Sequence, residues 1–200
     1  KFAEDFEGAF HPLNLSAIGA DIYTGACHKW LCAPKGAAFL YARPEVHHWL
    51  EPLVVSWGYQ SDQPSGAPFI DYHEWQGTRD LAAFLTVPAA IAFQAQHNWA
   101  AVRQQCHRLA GDTRQRLNAL TGLEPICPDS PPWFTQMFAA RLPTHTDLEA
   151  FKRQLYDEYR IEVPVVLWNH QQFLRVSFQG YNTPEDADTL VAAVERLLPA

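Results

Sequence analysis

Positive charge is scarce in this 200-residue sequence. Fifteen Lys and Arg stand against 22 Asp and Glu, a formal net charge of −7. That balance argues against a nucleic-acid or membrane-surface binder. Long apolar runs are missing too. None approaches the roughly 18 residues that span a bilayer. The opening residues do not read as a basic-then-apolar secretory signal. Cysteine is sparse: Cys27, Cys32, Cys106 and Cys127 are irregularly spaced. They read as free thiols of a cytoplasmic protein rather than a disulfide framework. What the chain does have is apolar bulk. Hydrophobic residues make up 48%, with seven Trp, which excludes disorder. The length suits one domain or one and a half, with a sizeable core.

Lysine is the rarest charged type, present as Lys1, Lys29, Lys35 and Lys152. Two of these lie in one stretch, Asp21 to Tyr41. Ile22, Tyr23 and Thr24 favour a strand, and Ala37 to Tyr41 form a second short apolar run. Between them come His28-Lys29-Trp30 and a turn signal, Ala33-Pro34-Lys35-Gly36. Schiff-base chemistry wants such a lysine. An ε-amine attacks a carbonyl only when neutral, and desolvation or a nearby cation favours that state. Pyridoxal 5'-phosphate (PLP) is the cofactor that most often uses it. The alternative is a lysine whose stem packs on Trp30 while its ammonium reaches water.

Tyr-Thr-Gly-x-x-His-Lys-Trp followed by Ala-Pro-Lys-Gly resembles the lysine motif of the class V aminotransferase family of PLP-dependent enzymes, in its isopenicillin N epimerase-like branch. Family patterns often carry Asn where Ala26 stands. The resemblance implies that Lys29 carries PLP and that Lys35 is a turn residue. It implies cofactor contacts from Tyr23 and His28 as well. The implied fold is α/β, fold type I of the PLP-dependent transferases. Residues 1–96 would be the C-terminal part of the large domain and 97–200 the small α/β domain. Family members run to about twice this length, so the chain reads as their C-terminal part. Upstream, the family has an Asp for the pyridinium nitrogen and a His near the ring. Asp5 and His11 are the nearest counterparts, in a stretch that matches poorly.

Pro12 to Ala20 reads as an amphipathic lead-in to the lysine strand. Arg43 to Leu50 reads as a short helix with Pro44 in its first turn. His47 and His48 are adjacent, so on a helix they point apart and do not ligate a metal as an i, i+4 pair would. No metal is expected. Residues 51–76 read as a long irregular segment, which in a compact domain is usually functional. In the family this segment crosses towards a partner subunit. Gln76-Gly77-Thr78-Arg79-Asp80 reads as a helix start, with Thr78 or Asp80 as the cap and an anion site at the helix end. The resemblance implies that Gly77 and Thr78 meet the phosphate of PLP bound in the other subunit, hence a homodimer.

Residues 81–121 read as helical. Pro88 kinks the helix or marks its start, and Arg103, Arg108, Arg114 and Arg116 lie on the exposed side. A subdomain boundary is expected near 97. A Pro-rich connection covers 123–132. Strands are expected over Phe134–Leu142, Ile161–Val166 and Phe173–Phe178, and a helix over Asp147–Tyr159. A last helix starts at Thr183-Pro184-Glu185-Asp186.

Alternation along Leu174-Arg175-Val176-Ser177 turns Arg175 and Ser177 away from the apolar pair. Such an arginine needs a salt-bridge partner or a carboxylate ligand. Arg-Val-Ser followed by Gly-Tyr-Asn-Thr-x-Glu-Asp resembles the family's C-terminal signature. That resemblance implies that Arg175 grips the α-carboxylate of an amino-acid substrate. Lys29, once freed, would then move the Cα proton. The expected function is a PLP-dependent amino-acid epimerase. The alternatives are an aminotransferase, a cysteine C–S lyase or desulfurase, and a truncated non-catalytic homologue. A desulfurase needs a loop cysteine facing the substrate, and Cys127 does not fit that pattern.

Overall fold

The computed structural model describes residues 2–5 (backbone only), 14–130 and 133–198. The chain divides between His97 and Asn98 into two units.

The first unit is built on a three-stranded sheet in the order β1 (Phe2–Asp5), β2 (Ile22–Ala26), β3 (Ala38–Ala42). β1 runs parallel to β2, with Asp5 opposite Gly25. β2 and β3 form an antiparallel pair from Ile22↔Ala42 to Ala26↔Ala38. The lead-in condenses to one helical turn, α1 (Leu15–Ile18). Asn14 Oδ1 caps it by accepting from Ala17 N at 3.1 Å, and Gly19 closes it at φ +64°. Arg43–Leu50 yields a 3₁₀ helix, Pro44–Trp49.

The segment expected to be irregular contains a helix, α2 (Pro68–Glu74), which begins on a proline at its first position. His47 fastens the 3₁₀ helix to α2. Its ring stacks on Phe69 at 4.1 Å, and its Nε2 lies 2.9 Å from the Ala42 carbonyl. α3 (Ala82–Gln96) contains Pro88 well inside it, so Pro88 is not its start.

The long helical stretch is two helices. Asn98 takes φ +48°, a left-handed conformation that stops α3, and α4 (Trp99–Thr121) begins after it in the second unit. There β4 (Met137–Leu142), β6 (Gln171–Ser177) and β5 (Val165–Trp168) form an antiparallel sheet in that order. β5 starts later than expected because Pro164 has no N–H to give the ladder. The Pro164 carbonyl does accept, from Arg175 N at 2.9 Å. Asn169 and His170, at φ +48° and +60°, make the two-residue turn that sets the β5–β6 register.

α4, α5 (Leu148–Tyr159) and α6 (Pro184–Leu197) complete the unit. The core gathers Leu117, Phe138, Leu155, Leu174, Val176 and Val194. Thr183 and Asp186 make a reciprocal capping box at the start of α6. Arg114 is not on the exposed side: it is buried. It pairs with Asp129 at 3.1 Å, donates to the Cys127 carbonyl, and lies 4.9 Å from the centre of the Phe134 ring. These partners offset the cost of burying the charge and hold the Pro-rich connection down on α4. No described helix is long and apolar enough to cross a membrane.

Candidate active site

The β2–β3 ladder continues one step into the loop, where Cys27 N donates to the Ala37 carbonyl at 3.0 Å. Ala33 N returns to the Cys27 carbonyl at 3.0 Å, and Cys32 N to the Lys29 carbonyl at 3.0 Å. Cys32 takes φ +61° to close that turn. The small side chains Cys27, Ala33 and Ala37 are buried against Ala83, Phe84, Val87 and Ala90 of α3. Gln94, also on α3, donates from Nε2 to the Trp30 carbonyl at 3.0 Å. The loop is therefore clamped to α3 on both sides of its crest. His28 and Lys29 stand exposed on that crest. Lys35 is exposed on the following turn. There Gly36, at φ +112°, brings the backbone so near α3 that a Cβ would lie 3.3 Å from Ala83 Cβ. Tyr23, two strand positions before Gly25, is buried, with its ring 5.8 Å from that of Phe39.

Thr78 and Gly77 lie between α2 and α3. Thr78 is exposed and does not cap α3, which starts four residues later at Ala82. The residue at the cap position is Leu81, without a side-chain bond. Asp80 supplies the oxygen instead, accepting from Ala82 N at 2.8 Å. The Gly77–Thr78 stretch is thus a turn standing off the helix. Its Gly77 is at φ +87°, and a Cβ there would come within 3.1 Å of Ser56 Oγ. Arg79 lies over the Phe84 ring, 4.8 Å from its centre. The lysine loop and this turn therefore share a contact, Phe84, in the first turn of α3. Arg79, Phe84 and Gln94 were not singled out from the sequence. The only signal for Gln94 was a polar residue within an apolar helix.

Arg175 belongs to the second unit. It projects from β6 opposite Ala139 and is exposed, as is Ser177, while Leu174 and Val176 are buried. Among the described residues no ion pair or hydrogen bond engages its guanidinium. The structural salt bridge is therefore not its role within these residues. Asp5 ends β1 at the same sheet edge from which the lysine loop emerges, because β1 and β2 are parallel. His11 lies outside the described residues. All four cysteines are free thiols. Burial pushes the Cys27 and Cys106 thiols above the ordinary thiol pKa. Cys127 is half-buried, with its sulfur 3.7 Å from Arg114 Nη2. Among the described residues no cluster of His, Cys, Asp and Glu is arranged to hold a metal ion.

Both units share the α/β fold of solved PLP-dependent transferases of fold type I. The solved apo structure of cysteine desulfurase from Thermococcus onnurineus NA1 superposes with a TM-score of 0.79 at 20% identity, over 98% of this chain and 52% of that one. The chain belongs to the class V aminotransferase family, whose sequence model matches residues 9–190. It is 40% identical to isopenicillin N epimerase of Amycolatopsis lactamdurans over 94% of this chain and 50% of the relative. Against the enzyme of the same name from Streptomyces clavuligerus the identity is 36%, again over 94% and 50%. The chain thus spans about half the length of these relatives.

Proposed function

We propose that this chain carries the lysine, the phosphate-contacting turn and the carboxylate-binding arginine of a PLP-dependent enzyme that epimerises an amino acid at Cα. The observation that carries this reading is the placement of Lys29 on a crest whose flanks are fixed to α3 by packing and by the Gln94 bond. The donor set fits the cofactor. Lys29 offers a primary amine for its aldehyde, and Thr78 offers a hydroxyl on an exposed turn for its phosphate. Asp5 stands at the right sheet edge to be the partner of the ring nitrogen. PLP, when bound, supplies an electron sink for a bond breaking at the amino acid's Cα.

The chain's own residues do the rest. Lys29 Nζ holds the cofactor at rest and moves the Cα proton during turnover. Arg175 holds the substrate carboxylate through two parallel hydrogen bonds and so fixes which Cα bond is presented for cleavage. That no described residue engages its guanidinium supports that role. Gly77 and Thr78 would hold the phosphate at a homodimer interface, and His28 and Tyr23 would supply further cofactor contacts. The similarity to two isopenicillin N epimerases supports epimerisation over the alternative reactions. A cytoplasmic homodimer is part of the same reading.

The test is incubation of the PLP-loaded protein with isopenicillin N and a panel of L-amino acids in D₂O. Inverted product carrying deuterium at Cα supports the proposal. A 2-oxo acid would make the enzyme an aminotransferase. Release of sulfide from cysteine would make it a C–S lyase. Failure of every substrate to exchange its Cα proton would leave a non-catalytic homologue.

A further inference from the structure

Arg79 directly follows Thr78, and an arginine beside a phosphate-contacting threonine reads at first as a second anion ligand. Its contacts argue otherwise. Nη1 donates to Gln76 Oε1 at 2.6 Å, and Nη2 donates to the Glu74 carbonyl at 3.0 Å. The face of the group lies over the Phe84 ring. Both terminal nitrogens and one face are thus engaged within the chain. The Glu74 carbonyl ends α2, where helix carbonyls lack a partner within the helix. Phe84 is part of the cluster that holds the Lys29 loop. The three contacts bracket Gly77 and Thr78, two from before the turn and one from after it.

We propose that Arg79 is a positioning residue. It ties the end of α2 to the start of α3, fixes the Gly77–Thr78 turn, and does not itself bind the phosphate. A planar fork makes these three contacts at once; a lysine ammonium does not. The proposal rests on Thr78 as a phosphate contact, the reading given above.

The experiment compares Arg79→Lys, Gln76→Leu, Gln76→Glu and Thr78→Val in the intact protein. Amide hydrogen exchange over residues 75–81 is read without cofactor, and PLP affinity is read by titration. Arg79→Lys is expected to speed exchange about tenfold at Gln76, whose N–H donates to the Glu74 carbonyl at 3.1 Å, and to weaken PLP binding by a similar factor. Gln76→Leu, which leaves the charge of Arg79 intact, is expected to do the same by roughly threefold or more. Gln76→Glu keeps an acceptor for Nη1 and is expected to leave exchange as in wild type. Weaker PLP binding in Arg79→Lys with exchange unchanged would make Arg79 a direct ligand and overturn the proposal. Wild-type exchange in both Arg79→Lys and Gln76→Leu would overturn it as well. If exchange quickens but Thr78→Val leaves PLP affinity untouched, the bracing by Arg79 stands and the phosphate assignment of Thr78 falls.

Discussion

Gly58 is where the long loop after the 3₁₀ helix crosses α2, and Gly58→Ala tests how that crossing supports the Gly77–Thr78 turn. A Cβ at Gly58 would stand 1.9 Å from the Asp71 carbonyl oxygen, 2.7 Å from its carbonyl carbon and 2.9 Å from Trp75 Cβ. Asp71 is inside α2, so the obstructing atoms are helix backbone and do not swing aside. Restoring an ordinary contact of about 3.5 Å requires loop and helix to part by roughly 1.5 Å. Overpacking of this kind costs about 1–3 kcal/mol where side chains yield, and more where backbone must move. The displacement does not stay local, because Ser56 lies two residues before Gly58 and its Oγ abuts Gly77. Gly58→Ala is therefore expected to lower the denaturant midpoint by the equivalent of about 3 kcal/mol or more. It is also expected to speed amide exchange at Gln76, which donates to the Glu74 carbonyl just before that turn. Gly111→Ala is the control: nothing stands within 4 Å of its Cβ position in α4. That change is expected to stabilise by about 0.5–1 kcal/mol. A Gly58→Ala protein within about 0.5 kcal/mol of wild type would refute the close crossing on which this reasoning depends.

Gln94→Leu removes the bond to the Trp30 carbonyl and about 1 kcal/mol of loop order. PLP followed by borohydride should then label Lys29 more slowly, while labelling of Lys35 is unchanged; equal rates at Lys29 in both proteins would remove Gln94 from the account. Arg175→Gln is expected to lower kcat/KM for the amino-acid substrate by about a hundredfold or more, given the loss of a bidentate charged contact, with unfolding unaltered because the side chain is exposed. An unchanged kcat/KM would show that the carboxylate binds elsewhere. Burial raises the Cys27 and Cys106 thiol pKa values, so less thiolate is present near neutrality. Iodoacetamide should therefore modify exposed Cys32 first, with Cys27 and Cys106 gaining reactivity only as pH rises beyond the ordinary thiol range; mass spectrometry of modified peptides across pH reads this directly.

The local architecture around the candidate residues could be read from the sequence because it depends on local signals. Strand, loop, Pro-Lys-Gly turn and strand appear in the expected order around Lys29, and Thr183-Pro184-Glu185-Asp186 does make the capping box that its spacing indicates. Arg175 faces outward as the alternation of β6 requires. The misreadings trace to contacts that helical or strand periodicity alone does not show. Of the two cap oxygens the sequence offers, Thr78 and Asp80, it is Asp80 that serves the start of α3, while the turn braced by Arg79, Gln76 and Glu74 holds Thr78 away. Arg114 follows a helical spacing that points it outward, yet Asp129 and the Cys127 carbonyl return along the Pro-rich connection to cover it. β1 was invisible because four residues carry little pattern of their own and find their register only against β2. The role of Gln94 needed α3 to be laid against the lysine loop, a pairing 64 residues apart.

The central claim is that Lys29, and neither Lys35 nor another lysine, is the residue that holds the cofactor. The direct measurement is incubation with PLP, reduction with borohydride and peptide mapping, in the wild-type protein and in Lys29→Ala. The account predicts a visible absorption band before reduction and a pyridoxyl group on Lys29 after it, both lost in Lys29→Ala. A label on Lys35, or spread over Lys1, Lys35 and Lys152 with the band unchanged in Lys29→Ala, would contradict it.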